Sequence, residues 1–110
     1  MIKTTGELFG RTVTAMLTPF DDELKIDFKA VEKLVKHLLA TGTSSIVVSG
    51  TTGESPTLDD AEKLDLLRAV IDAADGKAKI IMGTGSNDTR KSIKASQDAQ
   101  PLGARGLLLV

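Results

Sequence analysis

The 110-residue chain has no cysteine, no tryptophan, no tyrosine and only one histidine. Without cysteine it can form no disulfide, thiol nucleophile or cysteine metal site, and one histidine argues against a histidine-built metal site. Lys plus Arg number 14 and Asp plus Glu 15, with no basic block, which argues against a nucleic-acid or anionic-membrane surface. No apolar run is long enough to span a membrane and no signal-peptide pattern opens the chain, so we expect a cytoplasmic location.

What the chain does contain is typical of one small globular domain. Hydrophobic residues make up 41% and charged residues 26%, and no linker divides the sequence, so we expect a single domain over residues 1–110. Four short apolar runs occur at residues 13–17, 45–48, 79–82 and 106–110. They are continuously apolar rather than alternating, which predicts strands of a parallel sheet buried on both faces.

Three helical patterns lie between these runs. The first begins at Asp27 as N-cap and stops at Gly42, and the second begins at Thr57 as N-cap and stops at Gly76. The third spans about residues 88–102, and a proline near its end predicts that it ends early or bends. The first ten residues are expected to form a short lead-in.

The spacing of the runs predicts the order β-α-β-α-β-α-β. Val13, Ile46, Ile80 and Leu107 are separated by intervals of 33, 34 and 27 residues, close to the roughly 30 residues of a strand-plus-helix unit. The fold class is therefore α/β with a parallel sheet. In such folds ligands bind at the carboxyl ends of the strands.

The segment GTTGES at residues 50–55, directly after the second run, is the sharpest candidate site. Thr51 and Thr52 place two adjacent hydroxyls between glycines that allow a tight turn and a close approach to a ligand. Such a turn can hold a small carboxylate or phosphate. The alternative is a strand-to-helix turn whose hydroxyls cap their own backbone. The segment is neither a Walker A loop nor a dinucleotide fingerprint.

Other candidates carry weaker signals. The segment GTGSN at residues 83–87 is expected to form a tight turn with Asn87 or Asp88 as the cap of the next helix. Glu54 could serve as a general base, although a solvated side chain is the expected outcome. His37 is expected to lie on a helix surface. No lysine lies at the carboxyl end of a predicted strand.

Three segments in order and spacing resemble the opening of the dihydrodipicolinate synthase family, in the N-acetylneuraminate lyase superfamily. They are TAMLTPF at residues 14–20, GTTGESPTL at 50–58 and GTGSN at 83–87, and the resemblance extends from about residue 9 to 110. It implies the N-terminal half of a (β/α)8 TIM barrel, with strands 1–4 and helices 1–3, usually assembled as a homotetramer. It also implies a lyase that requires no metal or organic cofactor.

The implied reaction condenses pyruvate with aspartate 4-semialdehyde to 4-hydroxy-tetrahydrodipicolinate, in lysine and diaminopimelate biosynthesis. By resemblance, pyruvate forms a Schiff base with a lysine on the sixth strand. Thr52 would hold the pyruvate carboxylate through its hydroxyl and amide. Thr51 would act in a proton relay with two tyrosines, one of them from a neighbouring subunit.

The resemblance also points to an inhibitor site. In family members that lysine inhibits, the positions that help to bind it match Asp60, Lys63, Asn87 and Lys91 of this chain. Two lysines where the inhibitor's ammonium would approach should repel it. We therefore expect weak or absent inhibition by lysine.

A barrel of this type needs about 250 residues, whereas this chain has 110. The Schiff-base lysine and relay tyrosines are missing, so we expect the chain alone to be inactive. We expect it to fold with a partner: the missing C-terminal half-barrel, as the rest of the polypeptide or a separate piece, or another copy. The alternatives are another pyruvate-dependent aldolase, of neuraminate or ketodeoxygluconate type, and a non-catalytic half-barrel scaffold or assembly fragment.

Overall fold

A computed structural model describes residues 2–109 of the chain. The strands are β1 (Val13–Ala15), β2 (Ser45–Val48), β3 (Lys79–Gly83) and β4 (Gly106–Leu108). The α-helices are α1 (Thr5–Phe9), α2 (Phe28–Ala40), α3 (Asp60–Ala74) and α4 (Thr89–Ala99). Two short 3-10 helices cover Ser55–Thr57 and Gln100–Leu102.

The strands form one parallel sheet in the order β1-β2-β3-β4. The predicted order β-α-β-α-β-α-β is therefore confirmed, and all four strands end at the same edge. The first strand is shorter than its apolar run, because after Met16 the chain leaves the sheet toward an antiparallel bridge between Phe20 and Ile26. The fourth strand ends at Leu108, and Val110 of its predicted run lies outside the described residues.

The prediction that the strands are buried on both faces is correct for only one of the four described strands. Every residue of β2 is buried, whereas Ile80 and Met82 of β3 are buried beside half-buried neighbours, and much of β1 and β4 is exposed. The core lies between the sheet and the helices, where Val31, Val35 and Leu67 pack with the buried face of the strands. Residues of α2, α3 and α4 belong to this core, whereas the ring of Phe9 in α1 lies beside Ile81 and Gly106 on the other face; much of the outer strands stays exposed.

Helix α2 follows its predicted limits closely. The Asp27 side chain accepts a hydrogen bond from the Ala30 N–H at 3.0 Å, as an N-cap does. The helix ends at Ala40, and Gly42 two residues later has φ of +105°, a value that a side chain disfavours.

The predicted cap of α3 is wrong. Thr57 ends the Ser55–Thr57 helix, which has a proline in its first turn, and its hydroxyl donates to the Glu54 carbonyl. The cap is Asp59, whose carboxylate accepts from the Glu62 N–H at 2.8 Å, while the Glu62 carboxylate accepts from the Asp59 N–H at 3.0 Å. This reciprocal capping box satisfies two N–H groups that a lone threonine would not.

The third predicted helix ends early, as Pro101 predicts. Helix α4 stops at Ala99 and tightens into Gln100–Leu102, before Gly103 turns the chain toward β4. Helix α1 was not predicted, because five residues are too few for a periodic pattern. It has a capping box between Thr4 and Glu7.

No helix between residues 2 and 109 combines the length and the apolar character that crossing a membrane requires.

Candidate functional site

The loops after β2 and β3 lie together at the carboxyl edge of the sheet. They border an open cleft of about 700 Å³. Its polar lining residues come from these loops and from the first turns of α3 and α4: Ser49, Thr51, Ser55, Lys63, Ser86, Asn87 and Lys91. Polar side chains of the two candidate loops therefore lie together at this edge.

The GTTGES loop is folded as two overlapping tight turns. The Gly53 N–H donates to the Gly50 carbonyl at 3.1 Å, and the Glu54 N–H donates to the Thr51 carbonyl at 3.0 Å. Ser49 and Glu54 both have φ of +57°, so the loop enters and leaves through left-handed conformations. The left-handed region costs free energy for residues other than glycine, so a compact loop must be held by its surroundings.

Thr51 and Thr52 are both exposed, at the tip of this loop. Thr51 lines the cleft, whereas Thr52 is not among the residues that line it. In the part of the chain that the structure describes, neither residue uses its backbone N–H or its hydroxyl in a hydrogen bond. The alternative in which these hydroxyls cap their own backbone is therefore wrong, and four polar donor groups remain available to a ligand.

The structure adds a residue that the sequence reasoning missed. Thr18, after β1, is buried, and its hydroxyl donates to the Gly53 carbonyl at 2.7 Å. A Cβ on Gly53 would lie 3.1 Å from the Met16 carbonyl oxygen and 3.2 Å from the Thr18 hydroxyl. The sequence signal that could have indicated this contact is a hydroxyl residue directly after the first strand, together with a glycine inside the loop at residues 50–55.

The GTGSN segment forms the predicted turn and cap. Asp88 rather than Asn87 is the N-cap of α4, and its carboxylate accepts from the Arg90 N–H at 2.9 Å. Buried Thr84 accepts a hydrogen bond from the Ser96 hydroxyl at 2.9 Å, which fastens the segment to α4.

The four positions for which the family resemblance implies an inhibitor site lie near one another, around the first turns of α3 and α4. Asp60, Lys63 and Lys91 line a cavity of about 120 Å³, and Asn87 joins the two lysines along the neighbouring cleft. Neither Lys63 nor Lys91 forms a salt bridge with another residue in the range 2–109.

Lys94, on the same side of α4, differs from these two lysines because it has a carboxylate partner. Its ammonium donates to Asp98 at 2.7 Å, and this hydrogen bond, together with the charge of Asp98, raises the pKa of Lys94. The positive charge of Lys94 is therefore already countered, whereas those of Lys63 and Lys91 face the open cleft.

The remaining candidate residues do not line the cleft. Glu54 is exposed, and His37 is exposed on α2, as predicted. Lys79 begins β3 and so lies at the amino edge, away from the cleft. Among residues 2–109, no three His, Cys, Asp or Glu side chains cluster closely enough to hold a metal ion.

This arrangement is that of a parallel α/β chain with a donor-rich loop at its carboxyl edge. A sequence model of the Dihydrodipicolinate synthetase family matches residues 8–110. The chain belongs to this family.

Relatives in the family are about three times longer. One from Symbiobacterium thermophilum, named 4-hydroxy-tetrahydrodipicolinate synthase, is 51% identical over 102 residues, which are 93% of this chain and 35% of the relative. The crystal structure of dihydrodipicolinate synthase DapA-2 from Bacillus anthracis matches with a TM-score of 0.90 and 48% identity, over 92% of this chain and 35% of that one.

A third match is the chloride-inhibited dihydrodipicolinate synthase from Acinetobacter baumannii, complexed with pyruvate. Its TM-score is 0.87 at 40% identity, over 89% of this chain and 34% of that one. The chain thus spans about a third of the length of the relatives it matches. Its four strands and their helices correspond to the N-terminal part of the family's TIM-barrel fold.

Proposed function

We propose that residues 1–110 form a partial TIM-barrel domain that supplies the pyruvate-binding part of a cytoplasmic 4-hydroxy-tetrahydrodipicolinate synthase. The complete enzyme would condense pyruvate with aspartate 4-semialdehyde. The observation that carries the proposal is the pair of threonines at the carboxyl edge, whose amides and hydroxyls have no partner among residues 2–109. Family membership and the pyruvate bound in the Acinetobacter relative support it.

In this proposal Thr52 binds the pyruvate carboxylate through its N–H and hydroxyl. Hydrogen bonds to a charged group contribute about 1.5–3 kcal/mol each, which suffices to orient a three-carbon acid. Neutral donors suit this role because they leave the carboxylate ionised without placing a competing cation beside the reacting carbonyl.

Thr51 is proposed as one hydroxyl of a proton relay. A hydroxyl can accept one proton while it donates another, so a row of hydroxyls can move a proton through a site from which water is partly excluded. Thr51 lines the cleft, where further hydroxyls could approach it. Because the chain has no tyrosine, the proposed relay tyrosines would come from other segments.

The proposed Schiff base needs an amine that this chain does not offer at the required place. Lysine is the nucleophile because its condensation with a ketone gives an iminium that can accept electrons from the adjacent carbon. Lys79 lies at the amino edge, and the two lysines that line the cleft, Lys63 and Lys91, lie on α3 and α4 rather than at strand ends. We infer that the nucleophile belongs to a segment outside residues 1–110 and that this chain alone is inactive.

The same proposal assigns a partner to the edges of the sheet. In the described part of the chain, β1 and β4 each pair with only one strand. Leu17 is 53% exposed and Leu109 is 64% exposed beside these edges. An unpaired apolar edge favours association, and the greater length of the relatives supports a C-terminal half-barrel as the covering segment, within a homo-oligomer.

The proposal also covers regulation. Lysine carries an ammonium group, and Lys63 and Lys91 place two further positive charges along the cleft where it would approach. We therefore propose that lysine inhibits the complete enzyme weakly or not at all.

Kinetics of the complete polypeptide that contains residues 1–110 would test the proposed reaction. Purified protein is expected to consume pyruvate only when aspartate 4-semialdehyde is present, and to prefer this aldehyde over N-acetylmannosamine or glyceraldehyde. Faster turnover with either of the other aldehydes would replace the proposed reaction by that of another pyruvate-dependent aldolase. No pyruvate-dependent turnover with any aldehyde would favour a non-catalytic scaffold.

A further inference from the structure

Thr18 holds the threonine loop from a distant part of the chain. It lies after β1 and is only 4% exposed, and its hydroxyl donates to the carbonyl of Gly53, which is 35 positions away in the sequence. The distance of 2.7 Å is that of a well-formed O–H···O bond. Thr18 is therefore buried, whereas the tip of the loop that it contacts is exposed to solvent.

This hydrogen bond acts on the peptide group between Gly53 and Glu54. The carbonyl of that group accepts from Thr18, and its N–H, on Glu54, donates to the Thr51 carbonyl at 3.0 Å. Because a peptide group is planar and rigid, fixing its oxygen also fixes the direction of its N–H. The Thr18 hydroxyl therefore helps to set the direction of the Thr51 carbonyl.

The Thr51 carbonyl and the Thr52 N–H belong to one further peptide group. In a trans peptide these two bonds point in opposite directions, so holding the carbonyl on one side directs the N–H to the other. Two hydrogen bonds and two rigid planes thus connect the buried Thr18 hydroxyl to the exposed Thr52 N–H. In residues 2–109 that N–H has no hydrogen-bond acceptor of its own.

Packing on Gly53 limits how far the loop can move. A Cβ at this position would lie 3.1–3.3 Å from the Met16 carbonyl, the Thr18 hydroxyl and the Ser49 N–H. The loop therefore lies directly on the ends of β1 and β2. The hydrogen bond from Thr18 fixes the orientation of the loop in addition to this close packing.

We propose that Thr18 is a positioning residue that aims the Thr52 N–H at the carboxylate of the substrate keto acid. This inference rests on the proposed function for the identity of the ligand, but the connection between Thr18 and the loop stands without it. A donor that is aimed before the substrate arrives costs no reorganisation on binding, so a correctly placed N–H contributes its full hydrogen bond.

The test compares Thr18→Val, which keeps the shape but removes the donor, with Thr18→Ser, which keeps the donor. Both are made in the complete polypeptide that contains residues 1–110. Thr14→Val is the matched control, because the Thr14 hydroxyl bonds Thr43 rather than the GTTGES loop. The measurements are the KM for pyruvate, the KM for the aldehyde, kcat, and the hydrogen-exchange rate of the Glu54 amide.

The proposal predicts that Thr18→Val raises the KM for pyruvate and the exchange rate of the Glu54 amide about tenfold each, the effect of losing one hydrogen bond. The KM for the aldehyde should stay unchanged, and Thr18→Ser should restore both values. A purely structural role would reduce the amount of active protein and leave the KM for pyruvate unchanged, which would overturn the proposal. If Thr18→Val does not fold, Thr18→Cys replaces it, since a thiol is a weaker donor.

The exchange measurement separates this proposal from the proposed function. If the wild-type protein shows no pyruvate-dependent turnover, the proposed function is wrong, and the Glu54 amide still reports whether Thr18 holds the loop. An unchanged exchange rate in Thr18→Val would overturn the positioning role whatever the enzyme's substrate. Faster exchange with an unchanged KM for pyruvate would overturn the connection to the carboxylate.

Discussion

Two adjacent threonines differ in what the structure leaves open to them. The Thr51 carbonyl accepts a hydrogen bond from the Glu54 N–H, and Thr51 lines the cleft. Thr52 makes no hydrogen bond among residues 2–109. A residue that stabilises nothing in the folded chain and offers two donors is suited to bind a ligand. This difference supports the proposal that Thr52 binds the carboxylate and that Thr51 acts in the relay.

Thr52→Val in the complete polypeptide should raise the KM for pyruvate about 10- to 100-fold, because it removes a hydrogen bond to a charged group. Thermal stability should stay the same, since the Thr52 side chain bonds nothing between residues 2 and 109. Thr41→Val is the control, because the Thr41 hydroxyl bonds the end of α2. An unchanged KM for pyruvate would show that Thr52 does not bind the carboxylate.

Gly53→Ala should destabilise the fold by roughly 1–3 kcal/mol, because the added methyl group meets backbone atoms at overpacked distances. Gly6→Ala, where the added Cβ would lie 4.0 Å from the Thr4 hydroxyl, should not destabilise the fold. Urea unfolding of both variants measures the difference. Equal stability would mean that the loop can shift away from the strand ends at little cost.

The fold was predictable at the level of elements because its signals are local and redundant. Apolar runs and helical periodicity identify four strands and three long helices, and Asp27 marks the start of α2. The cap of α3 was not predictable in the same way. Thr57 and Asp59 are both good caps, and the choice between them depends on the 3-10 turn that Pro56 opens and on the reach of Glu62.

Asp59→Ala should lower the free energy of unfolding by about 0.5–2 kcal/mol, the usual loss on removal of an N-cap. Asp65→Ala is a suitable comparison, because its exposed ion pair with Arg68 contributes about 0–1 kcal/mol. Chemical denaturation provides the measurement. A larger loss from Thr57→Ala than from Asp59→Ala would return the cap to the position that the sequence favoured.

The cleft between α3 and α4 gives a prediction about regulation. We expect lysine to inhibit the complete polypeptide weakly, and Lys91→Glu to increase its apparent affinity about tenfold, since a repulsive charge becomes attractive at close range. Lys29→Glu, at an exposed position of α2, should have no effect. Strong inhibition of the wild-type protein at sub-millimolar lysine would contradict the assignment.

Among residues 2–109, the four-stranded sheet has two edge strands that each pair with one neighbour, and much of both edge strands is exposed. The prediction of burial on both faces, made from continuously apolar runs, fails for β1 and β4, which each pair with one strand among residues 2–109 and stay largely exposed. Periodicity alone could not reveal this, because an apolar run predicts that a strand is buried but does not identify the residues that bury it. Periodicity could not reveal the hydrogen bond of Thr18 either, because its acceptor, the Gly53 carbonyl, is 35 positions away in the sequence.

The exposed edge should make the 110-residue chain associate when it is alone. We expect Leu109→Lys to reduce this association, because a lysine at a strand edge opposes further pairing. Leu24→Lys, at an exposed loop position outside the four strands, should leave it unchanged. Size-exclusion chromatography with light scattering reports the mass, and a well-folded monomer of the unmodified chain would argue against a need for a partner.

We propose that this chain holds the keto acid while another segment attacks it. The most direct measurement mixes the 110-residue chain with the remaining C-terminal segment of the Symbiobacterium thermophilum relative, adds pyruvate and borohydride, and weighs each polypeptide by intact mass spectrometry. We expect a reduced pyruvate adduct on the C-terminal segment only, formed at a rate that falls when the 110-residue chain carries Thr52→Val. An adduct on the 110-residue chain itself would contradict the proposal.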